Sequence, residues 1–85
     1  MTRVVLFGKA GCCLCDECEI LLQNLRDEFA SELQKIDITS DEKLLERFGN
    51  QIPVVTFDGR FRLALRISET RLRRSLTRAQ NEKVA

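Results

Sequence analysis

Four cysteines lie within a seven-residue stretch, at the point where a short apolar segment gives way to a helical pattern. Residues 3–7 are mostly β-branched or apolar and end at Gly8, which predicts a buried strand. From Cys13 to about Phe29, apolar residues recur at steps of three and four, which predicts an amphipathic helix. The cysteine-rich segment is therefore expected to open a helix that directly follows a strand.

Two of these cysteines, Cys12 and Cys15, have the spacing of a redox dithiol. Unpaired N–H groups and the positive end of the helix dipole stabilise a thiolate at a helix N-terminus. Acidic residues in the first helical turns, Asp16, Glu17 and Glu19, oppose a further negative charge. We expect their side chains to point to solvent, where screening weakens that opposition. The pattern favours thiolate chemistry at this helix tip.

Five further elements follow from hydrophobic patterns, caps and turn signals. They are a strand over 33–38, a short helix that begins in the capping segment 39–42 and ends at Gly49, strands over 54–57 and 61–65 joined by an Asp58-Gly59 turn, and a last helix that Ser68 can cap. In the order βαβαββα, the first two strands should be parallel with a right-handed crossover, and the last two should form an antiparallel hairpin. This predicts an α/β fold with a four-stranded mixed sheet flanked by helices.

The length and composition predict one small water-soluble domain of 85 residues. We assign residues 1–79 to this domain and residues 80–85 to a flexible C-terminal tail. Apolar runs such as residues 4–7 are far shorter than the roughly 20 residues of a membrane span, and too short for a signal peptide. We therefore expect a cytoplasmic protein without a membrane partner. In that compartment, clustered cysteines indicate catalysis or metal binding rather than structural disulfides.

Charge is distributed unevenly along the chain. Residues 1–59 carry 6 basic and 11 acidic side chains, whereas residues 60–85 carry 8 basic and 2 acidic ones. One interpretation is a solvated C-terminal helix with cations near its negative end. The other is a surface that attracts an acidic partner. Nucleic acid is not an expected partner, because the chain has no Tyr or Trp and a single aromatic residue, Phe61, stands among the arginines from Arg60 to Arg78.

A known family shares this arrangement of motifs. The segment from Gly11 to Glu17, Gly-Cys-Cys-Leu-Cys-Asp-Glu, and the Ile52-Pro53-Val54 motif before the hairpin resemble small bacterial glutaredoxin-like proteins. The resemblance covers about residues 3 to 76. It implies a thioredoxin-like fold of the glutaredoxin type and the activity of a thiol–disulfide oxidoreductase.

The resemblance also implies roles for particular residues. Cys12 would be the nucleophile that attacks a disulfide, and Cys15, one helical turn further on, would resolve the mixed disulfide. Lys9 would favour the thiolate and contribute to substrate binding. Pro53 would follow a cis peptide bond beside the dithiol, where Ile52 would offer its backbone N–H and C=O to an extended substrate.

The chain departs from glutathione-using glutaredoxins after its last strand. Those proteins usually carry a glycine pair there, whereas residues 64–69 read Ala-Leu-Arg-Ile-Ser-Glu. Only Ser68 and Glu69 are left as candidates to hold one end of glutathione. We therefore expect no tightly bound cofactor and at most weak use of glutathione as a co-substrate. The expected partners are a disulfide-containing protein or small molecule and a thiol reductant, either thioredoxin reductase or glutathione, and the expected state is a monomer.

Two other functions are compatible with the cysteines. Cys12, Cys15 and Cys18, with Cys13 as a fourth ligand, could hold zinc or an iron–sulfur cluster. However, adjacent cysteines diverge, and a single helix does not readily wrap four tetrahedral ligands. A non-catalytic adaptor with this fold is the other alternative, and the intact dithiol argues against it. Cys18 lies on the apolar stripe and is expected in the core, whereas Cys13 is expected to face outward.

Overall fold

The computed structural model describes residues 2–84 of the chain, and the side chains of residues 2–81. Its elements are β1 (Thr2–Gly8), α1 (Cys13–Arg26), β2 (Ser31–Asp37), a 3₁₀ turn (Ile38–Ser40), α2 (Glu42–Phe48), β3 (Val54–Phe57), β4 (Phe61–Ala64) and α3 (Glu69–Val84). This order confirms the predicted succession of strands and helices. None of the described helices is long and apolar enough to cross a bilayer.

The four strands form one mixed sheet in the order β2-β1-β3-β4. β1 runs parallel to β2 and antiparallel to β3, with Phe7 opposite Val54. β3 and β4 form the predicted antiparallel hairpin, in which Val54 faces Ala64. Because of this register, the end of β1, the start of β3 and the end of β4 meet at one end of the sheet. That end carries both the cysteine-rich segment and the Ile52-Pro53 dipeptide.

Helices cover both faces of the sheet, as predicted. On one face, side chains of α1 and α3 pack against β1 and β3 in the larger core. Its buried members are Val4, Leu6, Cys18, Leu22, Leu25, Val55, Phe57, Leu72, Leu76 and Ala79. On the other face, Phe48 of α2 packs with Ile38 and Val54 in a smaller core. Adjacent residues of β3, Val54 and Val55, thus point to opposite faces, as strand geometry requires.

Several predicted boundaries were wrong by one to three residues. β1 spans residues 2–8 rather than 3–7, and β2 spans residues 31–37 rather than 33–38. α1 ends at Arg26 rather than near Phe29, although the Phe29 N–H still bonds to the Leu25 carbonyl at 3.1 Å. β4 ends at Ala64 rather than at residue 65, because Leu65 leaves the extended conformation with φ of 66°. The Leu65 N–H then turns inward to the carbonyls of Pro53 and Gln51, at 3.0 and 3.2 Å.

The last helix is longer than the sequence suggested. Ser68 caps it as predicted, since its hydroxyl accepts the Arg71 N–H at 3.3 Å. The helix then continues to Val84, so the predicted boundary after residue 79 lies inside α3. Ala79 is buried, and the Gln80 side-chain amide donates to the Phe29 carbonyl, which fixes this part of α3 against the loop after α1. Of the predicted tail, Ala85 lies outside the described residues.

A stability prediction follows from Ala30, which links α1 to β2 with φ of 47°. This left-handed conformation costs a residue with a Cβ about 1 to 2 kcal/mol, and the exposed Ala30 side chain forms little compensating contact. We expect Ala30→Gly to raise the free energy of unfolding by about 0.5 to 1 kcal/mol, measured by urea denaturation. The control is Ala10→Gly, an exposed loop alanine, which should lower it by about as much. A loss of stability in A30G would contradict the prediction.

Candidate active site

Cys12 and Cys15 meet at the N-terminus of α1. Cys12 is the N-cap of that helix, and its sulfur accepts the Cys15 backbone N–H at 3.3 Å. The Cys15 thiol donates to the same sulfur, with the two Sγ atoms 2.6 Å apart. Both cysteines are free thiols in this structure. A disulfide needs an S–S distance of about 2.05 Å, so the pair can be bridged by a small movement.

The two thiols differ in exposure, and the pKa of the buried one is raised. Cys12 is half-buried, whereas Cys15 is only 5% exposed. Burial and, to a smaller extent, the hydrogen bond to Cys12 raise the pKa of Cys15 to about 11, although the Lys9 backbone N–H acts in the opposite direction. A second molecule can thus reach the sulfur of Cys12 more easily than that of Cys15. The order of attack that the resemblance implies stays a prediction.

Gly8, the last residue of β1, lies against the buried thiol. A Cβ added to Gly8 would lie 3.0 Å from the Cys15 Sγ and 3.1 Å from its Cβ. Any other residue at this position would therefore require Cys15 or α1 to shift by a few tenths of an ångström. The sequence pattern indicated Gly8 only as the residue that ends the first strand. A glycine between a buried strand and the dithiol is also a signal of close backbone approach, and it could have predicted this contact.

Replacing Gly8 should disturb this contact. We expect Gly8→Ala to lower the free energy of unfolding by about 1 to 3 kcal/mol, because the added methyl group overpacks the site. In a Cys12→Ser background, the same change should expose Cys15 and accelerate its alkylation by iodoacetamide. Gly11→Ala is the control: its φ is 80° but its Cβ would meet open space, so strain should lower stability while Cys15 alkylation stays unchanged. Unaltered stability and alkylation in G8A would contradict the proposed contact.

Ile52 and Pro53 lie at the same end of the sheet as the dithiol, immediately before β3. The peptide bond between them is cis, as the resemblance implied. The Pro53 side chain is fully buried, and its carbonyl accepts the Leu65 N–H. Ile52 packs against the smaller core beneath α2. The predicted contact of Ile52 with the backbone of a substrate stays a prediction.

Beside Cys15, a cavity of about 200 Å³ lies between α1 and the strands β1 and β2. Its apolar walls are formed by Leu6, Ala10 and Ile36. Five charged residues also line it: Lys9, Asp16, Glu19, Lys35 and Asp37. Lys9 itself is exposed on the rim and reaches Cys15 through its backbone N–H.

The position of the Glu19 side chain differs from the one that was predicted. The sequence predicted that its side chain would point to solvent, but it is only 23% exposed and forms an ion pair with Lys35, at 2.9 Å between Nζ and Oε1. The pairing links α1 to the edge strand β2, a tertiary contact that helical periodicity does not reveal. Asp16 and Glu17 are exposed, as expected.

The other two cysteines occupy the predicted positions. Cys18 is 1% exposed in the larger core, and burial, with a smaller effect from Cys15, raises its pKa to about 12. Cys13 is exposed. Across the part of the chain that the structure describes, no three cysteine or carboxylate side chains converge in a metal-binding arrangement.

Comparison with known proteins identifies the family. The model of the family described as "Glutaredoxin-like domain (DUF836)" matches residues 3–77. The chain belongs to this glutaredoxin-like family. Among its relatives is an uncharacterized protein of Mycobacterium tuberculosis that is 32% identical over 82 residues, covering 91% of this chain and 84% of the relative. An uncharacterized protein of Mycobacterium bovis matches equally well.

Solved structures agree on the fold. A structural genomics target protein from X. campestris superimposes with a TM-score of 0.77 at 25% identity, covering 88% of this chain and 96% of that one. A mutant thioredoxin from Halobacterium salinarum gives 0.76 at 18% identity, covering 92% and 74% of the two chains. Thioredoxin O2 from Arabidopsis thaliana in its oxidised state gives 0.70 at 18% identity, with the same coverage. The fold of this glutaredoxin-like chain is therefore thioredoxin-like.

Ser68 and Glu69, the two residues predicted as candidates to hold one end of glutathione, form hydrogen bonds within this glutaredoxin-like domain. The Ser68 hydroxyl caps α3. The Glu69 carboxylate accepts a hydrogen bond from Arg73 Nε at 3.4 Å, one turn further along the same helix. Both side chains are exposed, and both stabilise the first turns of α3.

Proposed function

We propose that this chain is a thiol–disulfide oxidoreductase, with Cys12 as nucleophile and Cys15 as resolving thiol. The observation that carries the proposal is the accessible Cys12 sulfur at a helix N-terminus, 2.6 Å from the buried Cys15 sulfur. Membership of the glutaredoxin-like family and the thioredoxin-like fold support redox chemistry of this general kind.

In the first step, the Cys12 thiolate attacks one sulfur of a substrate disulfide. A bond forms between Cys12 and that sulfur, the substrate S–S bond breaks, and the other substrate sulfur leaves as a thiolate that takes up a proton. Before the attack, the Cys15 N–H and the N-terminus of α1 stabilise the negative charge on Cys12.

In the second step, Cys15 loses its proton and attacks the Cys12 sulfur of the mixed disulfide. The Cys12–Cys15 disulfide forms, and the second substrate sulfur leaves and is protonated. The Cys12 charge and hydrogen bond that help to raise the Cys15 pKa are absent in the mixed disulfide, so Cys15 ionises more easily at this stage. A thiol reductant or a reductase then returns two electrons to the disulfide.

The partners we propose are a disulfide-containing protein or small molecule and a thiol reductant in the cytoplasm. Glutathione is expected to be a weak reductant here, because residues 64–69 contain no glycine pair. The arginine-rich segment from Arg60 to Arg78 would instead attract an acidic protein partner. Part of that segment is also used internally, since Arg73 bonds to Glu28 and the Arg78 guanidinium lies 4.2 Å from the Phe61 ring centre.

The test is a disulfide-reduction assay with two reductant couples, glutathione with glutathione reductase and a thioredoxin-reductase couple. Each is run at low and at high ionic strength. We expect turnover with the reductase couple and a decrease with salt, because screening removes long-range attraction. Absence of turnover with both couples would contradict the function. Efficient, salt-insensitive turnover with glutathione alone would contradict the proposed partner.

A metal-binding role is tested on the same protein. Elemental analysis after anaerobic purification should give no stoichiometric metal. Stoichiometric zinc, or iron with visible absorption at one cluster for every two chains, would favour the metal-binding alternative.

A further inference from the structure

The buried position of Cys15 creates a requirement in the second step. Cys15 must lose a proton before or as it attacks, yet its side chain has almost no direct contact with solvent. The cavity of about 200 Å³ lies beside Cys15. A polar site needs only roughly 15 Å³ of such volume to hold a water molecule, so this cavity has room for several. Water in the cavity would give the Cys15 proton a route out of the protein.

Charged groups from three elements face this route. Lys9 contributes from the loop after β1, Asp16 and Glu19 from α1, and Lys35 and Asp37 from β2. Cys12 and Cys18 are the neighbouring thiols. Three carboxylates are therefore candidates to accept the proton, and their surroundings distinguish them.

Asp37 and Asp16 are less suited to the role. The Asp37 carboxylate accepts the Thr39 N–H at 2.9 Å and the Thr39 hydroxyl at 2.6 Å, and these bonds hold its pKa below the ordinary value. It thus serves as the cap of the following 3₁₀ turn. Asp16 is adjacent to Cys15 in the chain but exposed, in the first turn of α1.

Glu19 has the more suitable position. It lies four residues after Cys15, so both side chains share one face of α1. Helical side chains lean toward the N-terminus, which places the Glu19 carboxylate over the turn that holds Cys15. The carboxylate is largely shielded from solvent and is fixed by Lys35 Nζ at 2.9 Å. This ion pair holds the Glu19 carboxylate in position at the cavity wall.

We propose that Glu19, fixed by Lys35, accepts the Cys15 proton through cavity water during resolution of the mixed disulfide. The inference rests on the proposed function. The proton moves from the Cys15 thiol through water to Glu19, the Cys15 sulfur bonds to the Cys12 sulfur, and the Cys12–substrate bond breaks. The leaving substrate thiolate is then protonated by Glu19 or by solvent, so the carboxylate is regenerated in each cycle.

The two steps can be separated with 5,5′-dithiobis(2-nitrobenzoate), a chromogenic disulfide. Attack by Cys12 releases one coloured thiolate, and resolution by Cys15 releases a second. A Cys13→Ser, Cys18→Ser background removes the other thiols. Stopped-flow measurement from pH 5.5 to 9.5 then gives the rate of each release as a function of pH.

In that background, Glu19→Gln should slow the second release about 10²-fold at neutral pH, a typical effect of losing a proton acceptor. The difference in the rate of the second release between Glu19→Gln and its background should decrease toward high pH, because hydroxide can then accept the proton. The rate of the first release should be unchanged. Glu17→Gln, an exposed residue of the same helix outside the cavity, is the matched control and should leave both releases unchanged.

Lys35→Met distinguishes the loss of a proton acceptor from the loss of the ion pair, because it removes the ion pair but keeps the Glu19 carboxylate. It should slow the second release less than Glu19→Gln does. Equal effects of the two variants, or a Glu19→Gln rate profile that coincides with that of its background, would overturn the role of Glu19. Two other results would contradict the proposed function itself, and with it the role of Glu19. Either the background protein would release no coloured thiolate, or its Cys15→Ser derivative would still release the second thiolate.

Discussion

Cys12→Ser is expected to abolish disulfide reduction, whereas Cys15→Ser should stop the reaction after its first step. The serine hydroxyl is not ionised at neutral pH and does not attack disulfides, so the first variant loses its nucleophile. The second variant keeps the accessible Cys12 but has no thiol to resolve the mixed disulfide. Mass spectrometry after incubation with a labelled disulfide should therefore detect a stable adduct on C15S and none at residue 12 of C12S.

Both variants should remain folded, so a difference in their activities can be attributed to the missing thiol. Serine is a preferred N-cap residue, so C12S can preserve the hydrogen bond that Cys12 accepts from the Cys15 N–H. Cys13→Ser is the matched control, because Cys13 is the exposed neighbour of Cys12. It should retain turnover. Loss of turnover in C13S together with normal turnover in C12S would show that the roles are assigned to the wrong thiols.

Local sequence patterns predicted much of the fold. The strand-to-helix unit around the dithiol and the hairpin around Asp58-Gly59 depend on patterns within a few residues, and both formed as expected. Two of the misplaced boundaries lie next to left-handed residues that have side chains: β2 begins directly after Ala30, and β4 ends directly before Leu65. No propensity marks such residues, since only the surrounding structure holds them in that conformation.

Within the candidate site, the sequence predicted the features that depend on the periodicity of one helix, but not the contacts that depend on packing between elements. Helical spacing correctly predicted a buried Cys18 and an exposed Cys13. The close approach of Gly8 to Cys15 and the pairing of Glu19 with Lys35 join separate elements. They depend on how closely α1 packs on β1 and β2, which a single sequence does not specify.

The burial of Cys18 should make the stability of the protein sensitive to alkaline pH. Its folded-state pKa is raised from 9.0 to about 12, chiefly by burial, so the unfolded chain loses this proton first as the pH rises. The contribution of the protonated Cys18 thiol to the free energy of unfolding is fully present below about pH 9, and it is lost as the pH rises toward 12. This loss amounts to roughly 3 to 4 kcal/mol, a large share of the about 4 to 13 kcal/mol expected for a chain of this length.

Urea unfolding of reduced protein at pH 7 to 11 tests this dependence with the variant Cys18→Ala. Near pH 7, C18A should be less stable than the natural protein by about 1 kcal/mol, because loss of the sulfur leaves a small cavity. Since alanine does not ionise, the deficit should disappear and then reverse as the pH rises above 10. Cys13→Ala, which removes an exposed thiol, should follow the natural protein at every pH. A constant difference between C18A and the natural protein from pH 7 to 11 would mean that Cys18 ionises equally easily in the folded and unfolded chains.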